Sequence, residues 1–265
     1  MYKDRREWVR QQLMQKPFIS YDELFSQFPG VSQMTLRRDI DYLEKTGQAI
    51  KVRGGARSAR FLSDTVDDPY FSRMQENVDS KKKIAAVAAR FLEVGRSIFF
   101  DSGSTLQQMI PFVPDERFVF TTTSPAAAIE LSRIGKPVVN LVGGWLDRDY
   151  QAVSGMQAVR YLDDVNIDIA FLSPSGLSVQ SGFTGGNYNE CQLKKAVADK
   201  ARLVVMLMDL SKADKSLPYT FCRLEQVQVL ICDGKLPDPL MQQAMAQDVQ
   251  IIDVTKEGMR KAYDI

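Results

Sequence analysis

From residue 80 onward, short apolar segments without polar alternation recur along the chain, and amphipathic stretches separate them. The apolar segments are SIFF, FVFTTT, PVVNLV, DIAFL, LVVMLM, VQVLIC and VQIIDV. The stretches between them predict helices over residues 82–92, 125–133, 156–162, 188–201 and 239–247, with another after Thr105. Strands that are apolar throughout are typical of a sheet with both faces covered by helices. The pattern therefore predicts an α/β fold with a mainly parallel sheet.

Small polar residues follow five of the predicted strands, at the point where each strand ends. They form the segments DSGST (101–105), TTTS (121–124), GG (143–144), SPSG (173–176) and DLSK (209–212). Any one of these segments could be ordinary turn chemistry. In parallel sheets, however, ligands bind beyond the carboxyl ends of the strands, so five such segments at one edge favour a polar ligand site.

The DSGST segment has the features of a phosphate-binding turn. Gly103 lets a ligand approach the backbone, and a helix is predicted to begin at Ser104 and Thr105, which offer N–H groups and hydroxyls. The segment lacks the lysine of a nucleotide-binding P-loop. It therefore predicts a site for a monophosphate such as that of a sugar, with Asp101 on a sugar hydroxyl or on the backbone of the loop.

The first sixty residues have a different pattern, which begins with two short helices. Residues 4–15 predict the first helix. Ser20, with Glu23 three residues later, is a capping box that predicts the start of a second helix, and Pro29-Gly30 predicts its end.

A third helix follows, and then a β-wing. Ser32 is the predicted cap of this helix, and Leu36, Ile40 and Leu43 share one face of it as a buried stripe. Residues 48–57 contain a short apolar segment and the turn RGGAR, which together predict two wing strands. The order of these elements is that of a winged helix-turn-helix, whose third helix enters the major groove of DNA.

Charge also distinguishes the N-terminal part of the chain. Residues 1–60 hold 12 Lys and Arg against 7 Asp and Glu, a net charge of +5, while the remaining 205 residues hold 22 against 26, a net charge of −4. A basic module of this shape predicts binding to double-stranded DNA. The predicted DNA-binding residues are Ser32, Gln33, Thr35, Arg37, Arg38, Lys51 and Arg53. The alternative is that Arg37 and Arg38 pair with Asp41 or Glu44 on a solvated face.

Composition excludes several kinds of chemistry. The chain contains no histidine, which excludes Ser-His-Asp and Cys-His nucleophiles and histidine metal ligands. Its three cysteines, Cys191, Cys222 and Cys232, are widely spaced, so neither a disulfide framework nor a zinc site is expected. The start MYKDRREWVRQQ is charged, and no apolar run is long enough for a transmembrane helix. We therefore expect a cytoplasmic protein without a metal ion or cofactor.

The segment VSQMTLRRDIDYLEKTG, followed by KVRGGA, resembles the signature of the DeoR (deoxyribose-operon repressor) family of bacterial transcription regulators. The shared positions are Val31-Ser32, Thr35, Arg37-Arg38-Asp39, Leu43-Glu44, Gly47 and Gly54-Gly55-Ala56. One departure is Arg53, where the family usually has a histidine. The resemblance implies a DNA-binding transcription regulator, most often a repressor.

The resemblance continues into the C-terminal part, where Lys83-Ile84-Ala85, Gly182-Phe183-Thr184, Glu190, Lys194 and the segment 209–212 are similar to the DeoR-type effector-sensing domain. It implies a fold like that of ribose-5-phosphate isomerase and an effector that is a phosphorylated sugar or a related metabolite. The effector-binding residues that it implies are Asp101, Ser102, Gly103, Ser104, Thr105, Thr122, Thr123, Ser124, Gly143, Gly144, Glu190 and Lys212.

We expect three parts in the chain: a DNA-binding domain over residues 1–58, a linker over residues 59–79 with one short helix, and an effector-sensing and oligomerisation domain over residues 80–265. A homo-oligomer is expected because operators are usually read by dimers. The alternative is a sugar-phosphate isomerase-like enzyme with a DNA-binding appendage, in which Asp101, Glu190 or Asp209 acts as a general base. The chain lacks a K-G-x-G-G stretch of the isomerase type.

Overall fold

The computed structural model describes residues 2–15, 18–46, 48–52, 54–58 and 70–256. The chain forms two compact units, Met1–Val66 and Asp67–Ile265. Within the described ranges, no helix is both long enough and apolar enough to cross a lipid bilayer.

The N-terminal unit contains three helices and a small antiparallel sheet. Its elements are α1 (Tyr2–Gln15), β1 (Phe18–Ser20), α2 (Tyr21–Gln27), α3 (Gln33–Lys45), β2 (Ala49–Val52) and β3 (Gly55–Ser58). The three helices and both wing strands lie where the sequence predicts them. Leu36, Ile40 and Leu43 of α3 are buried in the core of this unit, together with Val9 and Leu13 of α1.

Side-chain caps begin α2 and α3, as the sequence predicts. Ser20 Oγ accepts a hydrogen bond from Glu23 N at 3.1 Å, and Glu23 Oε2 accepts one from Ser20 N at 2.8 Å. At α3, Ser32 Oγ accepts a hydrogen bond from Thr35 N at 3.2 Å. These bonds satisfy N–H groups that have no partner inside the helix, and they therefore determine where each helix begins.

Strand β1 is an addition that the sequence does not predict. It pairs antiparallel with β3, and the strand order in this sheet is β1-β3-β2. A Cβ atom on Gly55 would lie 2.0 Å from the carbonyl oxygen of Ile19, and Gly54 has a φ of +93°. Gly54 is therefore required for the conformation of the turn, and Gly55 is required for the close approach of β1.

Asp39 on α3 is a buried carboxylate that two arginines of α1 bind. Arg5 Nη2 lies 2.8 Å from Asp39 Oδ2, and Arg6 Nε lies 2.7 Å from Asp39 Oδ1. Asp39 is only 3% exposed, so its charge depends on these partners rather than on water. The two ion pairs thus hold α1 against α3.

The C-terminal unit is built around a sheet of seven parallel strands. Its strands in chain order are β4 (Ser97–Phe100), β5 (Val119–Thr122), β6 (Val138–Leu141), β7 (Trp145–Asp147), β8 (Ala152–Ser154), β9 (Ile169–Leu172), β10 (Gly176–Ser178), β11 (Gly182–Gly185), β12 (Leu203–Leu207), β13 (Tyr219–Cys222), β14 (Val229–Cys232) and β15 (Gln250–Asp253). The order across the large sheet is β15-β14-β12-β9-β4-β5-β6. All seven predicted apolar segments become strands of this sheet.

Helices cover both faces of the large sheet. They are α4 (Tyr70–Gln75), α5 (Val78–Ala88), α6 (Ser104–Gln107), α7 (Pro125–Leu131), α8 (Met156–Tyr161), α9 (Tyr188–Lys200) and α10 (Asp238–Ala246). Neighbouring strand residues point to opposite hydrophobic clusters: Phe99 lies in one cluster, and Ile98 and Phe100 lie in the other. The prediction of a parallel α/β sheet buried on both faces is therefore confirmed.

Two small antiparallel sheets are not predicted by the sequence. Strands β7 and β8 form a hairpin, and β10, β11 and β13 form a three-stranded sheet. These strands have only three or four residues each, and several contain glycine, so they are too short to show a period of two.

The predicted linker overlaps the C-terminal unit. Helix α4 and the first residues of α5 lie within residues 59–79, and both belong to the compact unit that begins at Asp67. The sequence predicts the short helix near residues 71–77, but it does not indicate that this helix packs as part of the C-terminal unit.

We expect Asp39→Ala to lower the free energy of unfolding of the N-terminal unit by about 3 kcal/mol, because two partly buried guanidinium groups lose their counter-ion. Tryptophan fluorescence during thermal unfolding of the full chain measures this. The chain has two tryptophans. Trp8 lies in the N-terminal unit and packs edge-on against Phe28, with 5.3 Å between the ring centroids, so it reports on the unfolding of that unit. Trp145, in the other unit, is already 77% exposed and should contribute little change.

The matched control for this variant is Asp41→Ala. It removes a carboxylate of the same helix whose ion pair with Lys51 is exposed. Its unfolding midpoint should stay close to that of the wild type. If Asp41→Ala lowered the stability of the N-terminal unit as much as Asp39→Ala does, the structural role of Asp39 would be contradicted.

Candidate functional site

The surface of α3 away from its buried stripe contains four of the seven residues predicted to bind DNA. Gln33, Arg37 and Arg38 are exposed, and Thr35 is half-buried. The Arg37 guanidinium lies 4.9 Å from the centre of the Tyr21 ring, a cation–π contact that orients it along α2. No hydrogen bond or ion pair of the Arg38 side chain occurs within the described part of the chain.

Two carboxylates further along α3, Asp41 and Glu44, are bound to the wing instead. Asp41 Oδ1 lies 2.5 Å from Lys51 Nζ, and Glu44 Oε1 accepts a hydrogen bond from Lys51 N at 3.0 Å. The alternative in which Asp41 or Glu44 neutralises Arg37 and Arg38 therefore does not hold in this structure.

The three predicted DNA-binding residues outside α3 are Ser32, Lys51 and Arg53. The hydrogen bond to Asp41 raises the pKa of Lys51, which stays charged but has part of its charge compensated. Ser32 caps α3, and its hydroxyl lies 2.9 Å from the hydroxyl of Thr35. Arg53 lies outside the described residues.

The large sheet has a topological switch point between β4 and β9. From β4 the chain continues to β5 and β6 on one side, and it later returns to β9 on the other side and continues to β12, β14 and β15. The loops that leave β4 and β9 therefore lead to opposite sides of the sheet, and the carboxyl ends of these two strands are where a parallel sheet is expected to have its ligand crevice. Asp101 and Ser173 are the first residues after the two strands.

One oxygen of the Asp101 carboxylate accepts hydrogen bonds from three donors. Oδ2 lies 3.0 Å from Ser173 N, 3.3 Å from Ser173 Oγ and 3.0 Å from Lys194 Nζ. The other oxygen, Oδ1, is buried and has no hydrogen-bond partner within the described residues. Because buried carboxylate oxygens are normally hydrogen-bonded, Oδ1 is an acceptor that a bound ligand could satisfy.

Lys194 joins Asp101 to Glu190 and was not among the predicted site residues. Its Nζ lies 3.0 Å from Glu190 Oε1 and donates to the carbonyl oxygen of Ser173 at 2.8 Å. Glu190 and Lys194 are four residues apart on α9, so they share one face of this helix. Asn187 caps α9 by accepting a hydrogen bond from Glu190 N, which fixes the first turn and the position of Glu190.

The charges of this cluster stabilise one another. Burial raises the pKa of Glu190, but the charges of Lys194 and Arg73 outweigh it, and the net pKa lies below its ordinary value. Burial likewise lowers the pKa of Lys194, but Asp101 and Glu190 outweigh it, and the net pKa is raised. Glu190 and Lys194 are therefore both charged at neutral pH.

The predicted phosphate-binding turn lies directly beside this cluster. Ser102 Oγ lies 3.5 Å from Glu190 Oε1, and Ser102, Ser104 and Thr105 are buried. Within the described residues, the backbone N–H groups of residues 102–105 have no protein acceptor. A Cβ atom on Gly103 would lie 1.8 Å from Ser173 Oγ, so a side chain there would push Ser173 away from Asp101.

The polar residues after β5 serve the backbone. Thr122 Oγ1 accepts a hydrogen bond from Ser124 N at 3.1 Å, and Ser124 Oγ accepts one from Ala127 N at 3.2 Å as the cap of α7. The carbonyl oxygen of Thr123 accepts a hydrogen bond from Val153 N, which attaches β8 to this edge. These residues thus have a structural use that does not require a ligand.

The Gly143-Gly144 pair forms the turn between β6 and β7. Both residues are exposed. Gly144 has a φ of +152°, and a Cβ atom there would lie 2.7 Å from the carbonyl oxygen of Ser154. The close approach of this turn to β8 is enough to explain the glycine at 144.

A second polar cluster lies where β12 ends, and most of its residues were not predicted as site residues. Asn77 Nδ2 donates to Asp209 Oδ1 at 2.9 Å, and Lys81 Nζ donates to the carbonyl oxygen of Arg73. Burial lowers the pKa of Lys81; Asp209 opposes this effect, whereas Lys212 adds to it. The predicted Lys212 is therefore close enough to interact with this cluster.

Arg73 on α4 connects the two clusters electrostatically, because its charge lowers the pKa of Glu190. It is 8% exposed, and its Nε has no hydrogen-bond partner in the described part of the chain. The described residues thus include a buried acceptor, Asp101 Oδ1, and a buried donor, Arg73 Nε, that both lack a hydrogen-bond partner.

We expect Lys194→Met to lower the free energy of unfolding of the C-terminal unit by about 3–5 kcal/mol at neutral pH, because two buried carboxylates lose their shared counter-ion. In the wild type the pKa of Glu190 is lowered, so its contribution is present above its ordinary value of 4.5 and is lost as the pH falls. In the variant, burial still raises the pKa of Glu190, and of the groups that oppose burial only Arg73 and the Ser102 hydroxyl remain, so this pKa should be higher than in the wild type. The difference in unfolding free energy between the wild type and Lys194→Met should therefore become smaller as the pH falls toward about 5. Urea unfolding at several pH values measures it.

Lys195→Met is the matched control, since Lys195 is the next residue of α9 and is exposed. It should unfold like the wild type at both pH values. If the loss of unfolding free energy in Lys194→Met does not change with pH, the missing counter-ion of the carboxylates is not its cause.

Comparison with known proteins gives the same two-part division. Residues 5–60 match the DeoR-like helix-turn-helix domain, and residues 76–234 match the DeoR C terminal sensor domain. The HTH-type transcriptional regulator GlpR of Haloferax volcanii is 33% identical over 232 residues, which cover 87% of this chain and 90% of that protein. The HTH-type transcriptional regulator IolR of Bacillus subtilis is 31% identical over 225 residues, which cover 84% of this chain and 88% of that protein.

Among solved structures, ribose 5-phosphate isomerase A from Methanocaldococcus jannaschii is similar over 52% of this chain and 55% of its own, with a TM-score of 0.39 and 22% sequence identity. Similarity at this level supports no conclusion about activity. The family match covers more than half of the chain, and the relatives are similar along most of their length. The chain therefore belongs to the DeoR family of transcription regulators, with a DeoR-type helix-turn-helix domain and a DeoR C-terminal sensor domain.

Proposed function

We propose that this DeoR-family regulator represses an operon of sugar metabolism, and that a phosphorylated sugar controls its binding to double-stranded operator DNA. It acts in the cytoplasm as a homo-oligomer. Residues 1–58 bind DNA, residues 59–79 connect the two functions, and residues 80–265 bind the effector and form the oligomer. The effector changes operator affinity by a coupling free energy between its two binding sites.

The exposed side of α3 supports the DNA-binding part of the proposal. Arg37 and Arg38 are exposed, and the carboxylates that could neutralise them bind the wing or α1 instead. Gln33 is the first residue of α3, at the end of a recognition helix that reads base edges. Arginine at these positions suits guanine or phosphate, and glutamine suits adenine.

The unpaired Asp101 Oδ1 is the observation on which the effector proposal depends most. It is a buried acceptor at the topological switch point, and the Lys194 ammonium beside it keeps the site charged. A sugar hydroxyl is a neutral donor of the right size to satisfy such an oxygen. A phosphate is not, because two anions would repel each other.

The phosphate of the effector belongs on the turn over residues 102–105 instead. The N–H groups of this turn have no protein acceptor within the described residues, and Ser104 and Thr105 add hydroxyls. Lys212 and Arg73 supply positive charge near the crevice, and Arg73 has an unpaired Nε. A ligand with both hydroxyl and phosphate groups thus meets the unpaired groups on both sides of the crevice.

The isomerase alternative is not favoured by the electrostatics of the crevice. A general base works best when its pKa lies near the working pH, but the pKa of Glu190 is lowered. Asp209 Oδ1 is occupied by Asn77 and by the backbone N–H of Ser211. Asp209 thus holds Asn77 and the start of the following turn in place.

We expect Arg38→Ala to weaken operator binding and to lower the slope of log affinity against log salt by about one unit if Arg38 contacts only phosphate. If Arg38 reads guanine, discrimination at one base pair should fall by about 1–3 kcal/mol. Titrations at several salt concentrations measure both effects, and Arg37→Ala is tested in the same way. Arg96→Ala, an exposed arginine paired with Glu93 in the C-terminal unit, is the control and should bind like the wild type. Wild-type affinity and slope in both α3 variants would contradict the proposal.

We expect a phosphorylated sugar at about 100 times its dissociation constant to stabilise the folded protein by about 2.7 kcal/mol, a melting shift of several degrees. Ribose 5-phosphate, glucose 6-phosphate and fructose 6-phosphate are compared with the same sugars without phosphate. The double variant Ser104→Ala, Thr105→Val should bind the best phosphorylated sugar about tenfold more weakly, because two hydroxyl donors are lost.

The unphosphorylated partner of that sugar is the internal control. The double variant should leave any weak response to it unchanged, since the hydroxyl contacts of Asp101 remain. Equal stabilisation by the two forms would contradict a phosphate site on this turn.

A further inference from the structure

We infer that Arg73 binds the phosphate of the effector, and that this contact transmits effector binding to α4. The inference rests on the proposed function, because it requires that a phosphorylated sugar controls the regulator. It adds the residue through which that control acts. In chain order, α4 is the first described helix after the N-terminal unit, so a change in α4 occurs next to the segment that leads to the DNA-binding domain.

Arg73 has a buried charge that folding does not neutralise. Its side chain belongs to a residue that is 8% exposed, and its Nε is buried without a hydrogen-bond partner in the described part of the chain. Among the described residues, no carboxylate forms an ion pair with its guanidinium group. The guanidinium carbon lies 5.7 Å from the centre of the Tyr150 ring. A ring face attracts a cation, but it does not provide the charged acceptor that a buried arginine ordinarily has.

Lys81 is a second buried cation beside Arg73. It is 3% exposed, and its Nζ donates a hydrogen bond to the carbonyl oxygen of Arg73, which is a neutral group. Burial is the main cause that lowers the pKa of Lys81, and the charges of Lys212 and Arg73 lower it further, whereas Asp209 and Glu76 oppose them. Two neighbouring buried cations thus lack a contacting counter-ion within the described ranges. A phosphate would supply one, since its oxygens accept strong charge-assisted hydrogen bonds.

Helix α4 lies beside the proposed effector site. It packs against α6, which begins within the turn over residues 102–105 that we propose holds the phosphate. Burial raises the pKa of Glu190, but the charges of Lys194 and then Arg73 lower it, so Arg73 is close to Glu190. The carboxylate of Glu190 lies in turn 3.5 Å from Ser102 Oγ of the same turn. Arg73 is therefore close to the turn on which the phosphate is proposed to bind.

The hydrogen bonds that attach α4 to the C-terminal unit leave the Arg73 side chain free for a ligand. Tyr70 N donates to the carbonyl oxygen of Asp149 at 2.8 Å, and Lys81 binds the main chain of Arg73. A helix as short as α4, which has six residues, depends on such tertiary contacts for its stability. A phosphate bound to Arg73 adds a contact to this helix. Effector binding should therefore stabilise α4, and this change couples the two binding sites.

The first test measures binding of the effector to the full chain by calorimetry. Of ribose 5-phosphate, glucose 6-phosphate and fructose 6-phosphate, the sugar that binds the wild type most tightly is used as the probe. We expect Arg73→Met to raise its dissociation constant about 10- to 100-fold, because charge-assisted hydrogen bonds are lost. Arg73→Lys keeps the charge but loses the planar guanidinium fork, so its dissociation constant should be intermediate. Arg73→Met should fold, since it removes a buried charge that has no contacting counter-ion.

Two controls accompany this measurement. Gln75→Met changes an exposed polar residue of the same helix and should bind the sugar phosphate like the wild type. The unphosphorylated form of the sugar should give the same response with Arg73→Met as with the wild type. A wild-type dissociation constant in Arg73→Met, equal weakening for both forms of the sugar, or equal weakening in Gln75→Met would overturn the assignment of Arg73 to the phosphate.

The second test separates transmission from binding. Operator affinity is measured for each protein without the sugar phosphate and at a concentration that saturates that protein, and the two affinities are compared as a ratio. We expect this ratio to be closer to one in Arg73→Met than in the wild type. The double variant Ser104→Ala, Thr105→Val retains Arg73 and should reach the wild-type ratio once it is saturated. Amide hydrogen exchange in residues 70–76 should slow on saturation in the wild type and in the double variant, but not in Arg73→Met.

The outcomes distinguish this inference from the proposed function. A wild-type ratio in saturated Arg73→Met, or slowed exchange in α4 of that variant, would overturn the transmission through Arg73 while leaving the proposed function intact. A wild-type protein whose operator affinity responds to none of the three sugar phosphates would overturn the proposed control by a phosphorylated sugar, and this inference with it.

Discussion

The ammonium group of Lys194 determines the arrangement of the crevice, because two buried carboxylates from different elements share it. Asp101 comes from the end of β4, and Glu190 comes from the first turn of α9. Without this cation, the low dielectric of the interior would favour the neutral form of at least one carboxyl group. Lys194 also binds the backbone of Ser173 across the switch point. The unpaired oxygen of Asp101 is therefore held in place by bonds that do not depend on a ligand.

The polar residues of the sheet edge differ in what remains available after folding. Thr122 and Ser124 are buried, but their hydroxyls accept hydrogen bonds from nearby backbone N–H groups. Strand ends need such bonds whether or not a ligand binds there. The better indication of a ligand is a buried polar group that folding leaves unsatisfied, and Asp101 Oδ1 and Arg73 Nε are groups of this kind. Polarity at strand ends thus indicates a candidate site, and the buried groups without a hydrogen-bond partner indicate which residues a ligand could contact.

The sequence predicts those parts of the structure whose burial follows a regular pattern. The stripe on α3 and the continuous apolar strands belong to this class, and the structure has both. Strand β10 has three residues, too few for any period, and its place in a sheet is decided by tertiary contacts. Lys194 and Lys195 are identical neighbours in the sequence, yet packing buries only the first. The family resemblance includes Lys194, but a helical lysine is ordinarily solvated, and nothing in the sequence shows that this one is buried between two carboxylates.

In the Arg37-Arg38-Asp39 segment, a residue that binds α1 directly follows two exposed residues that we propose bind DNA. Successive residues of a helix are rotated by about 100°, so Asp39 turns inward to Arg5 and Arg6 while Arg37 and Arg38 remain exposed. Asp39 is buried and negatively charged, so it does not bind DNA phosphates. A variant of Asp39 that loses operator affinity would do so because α1 loosens from α3. The salt dependence of binding separates the two roles, since loss of a phosphate contact lowers the slope and loss of folded protein leaves it unchanged.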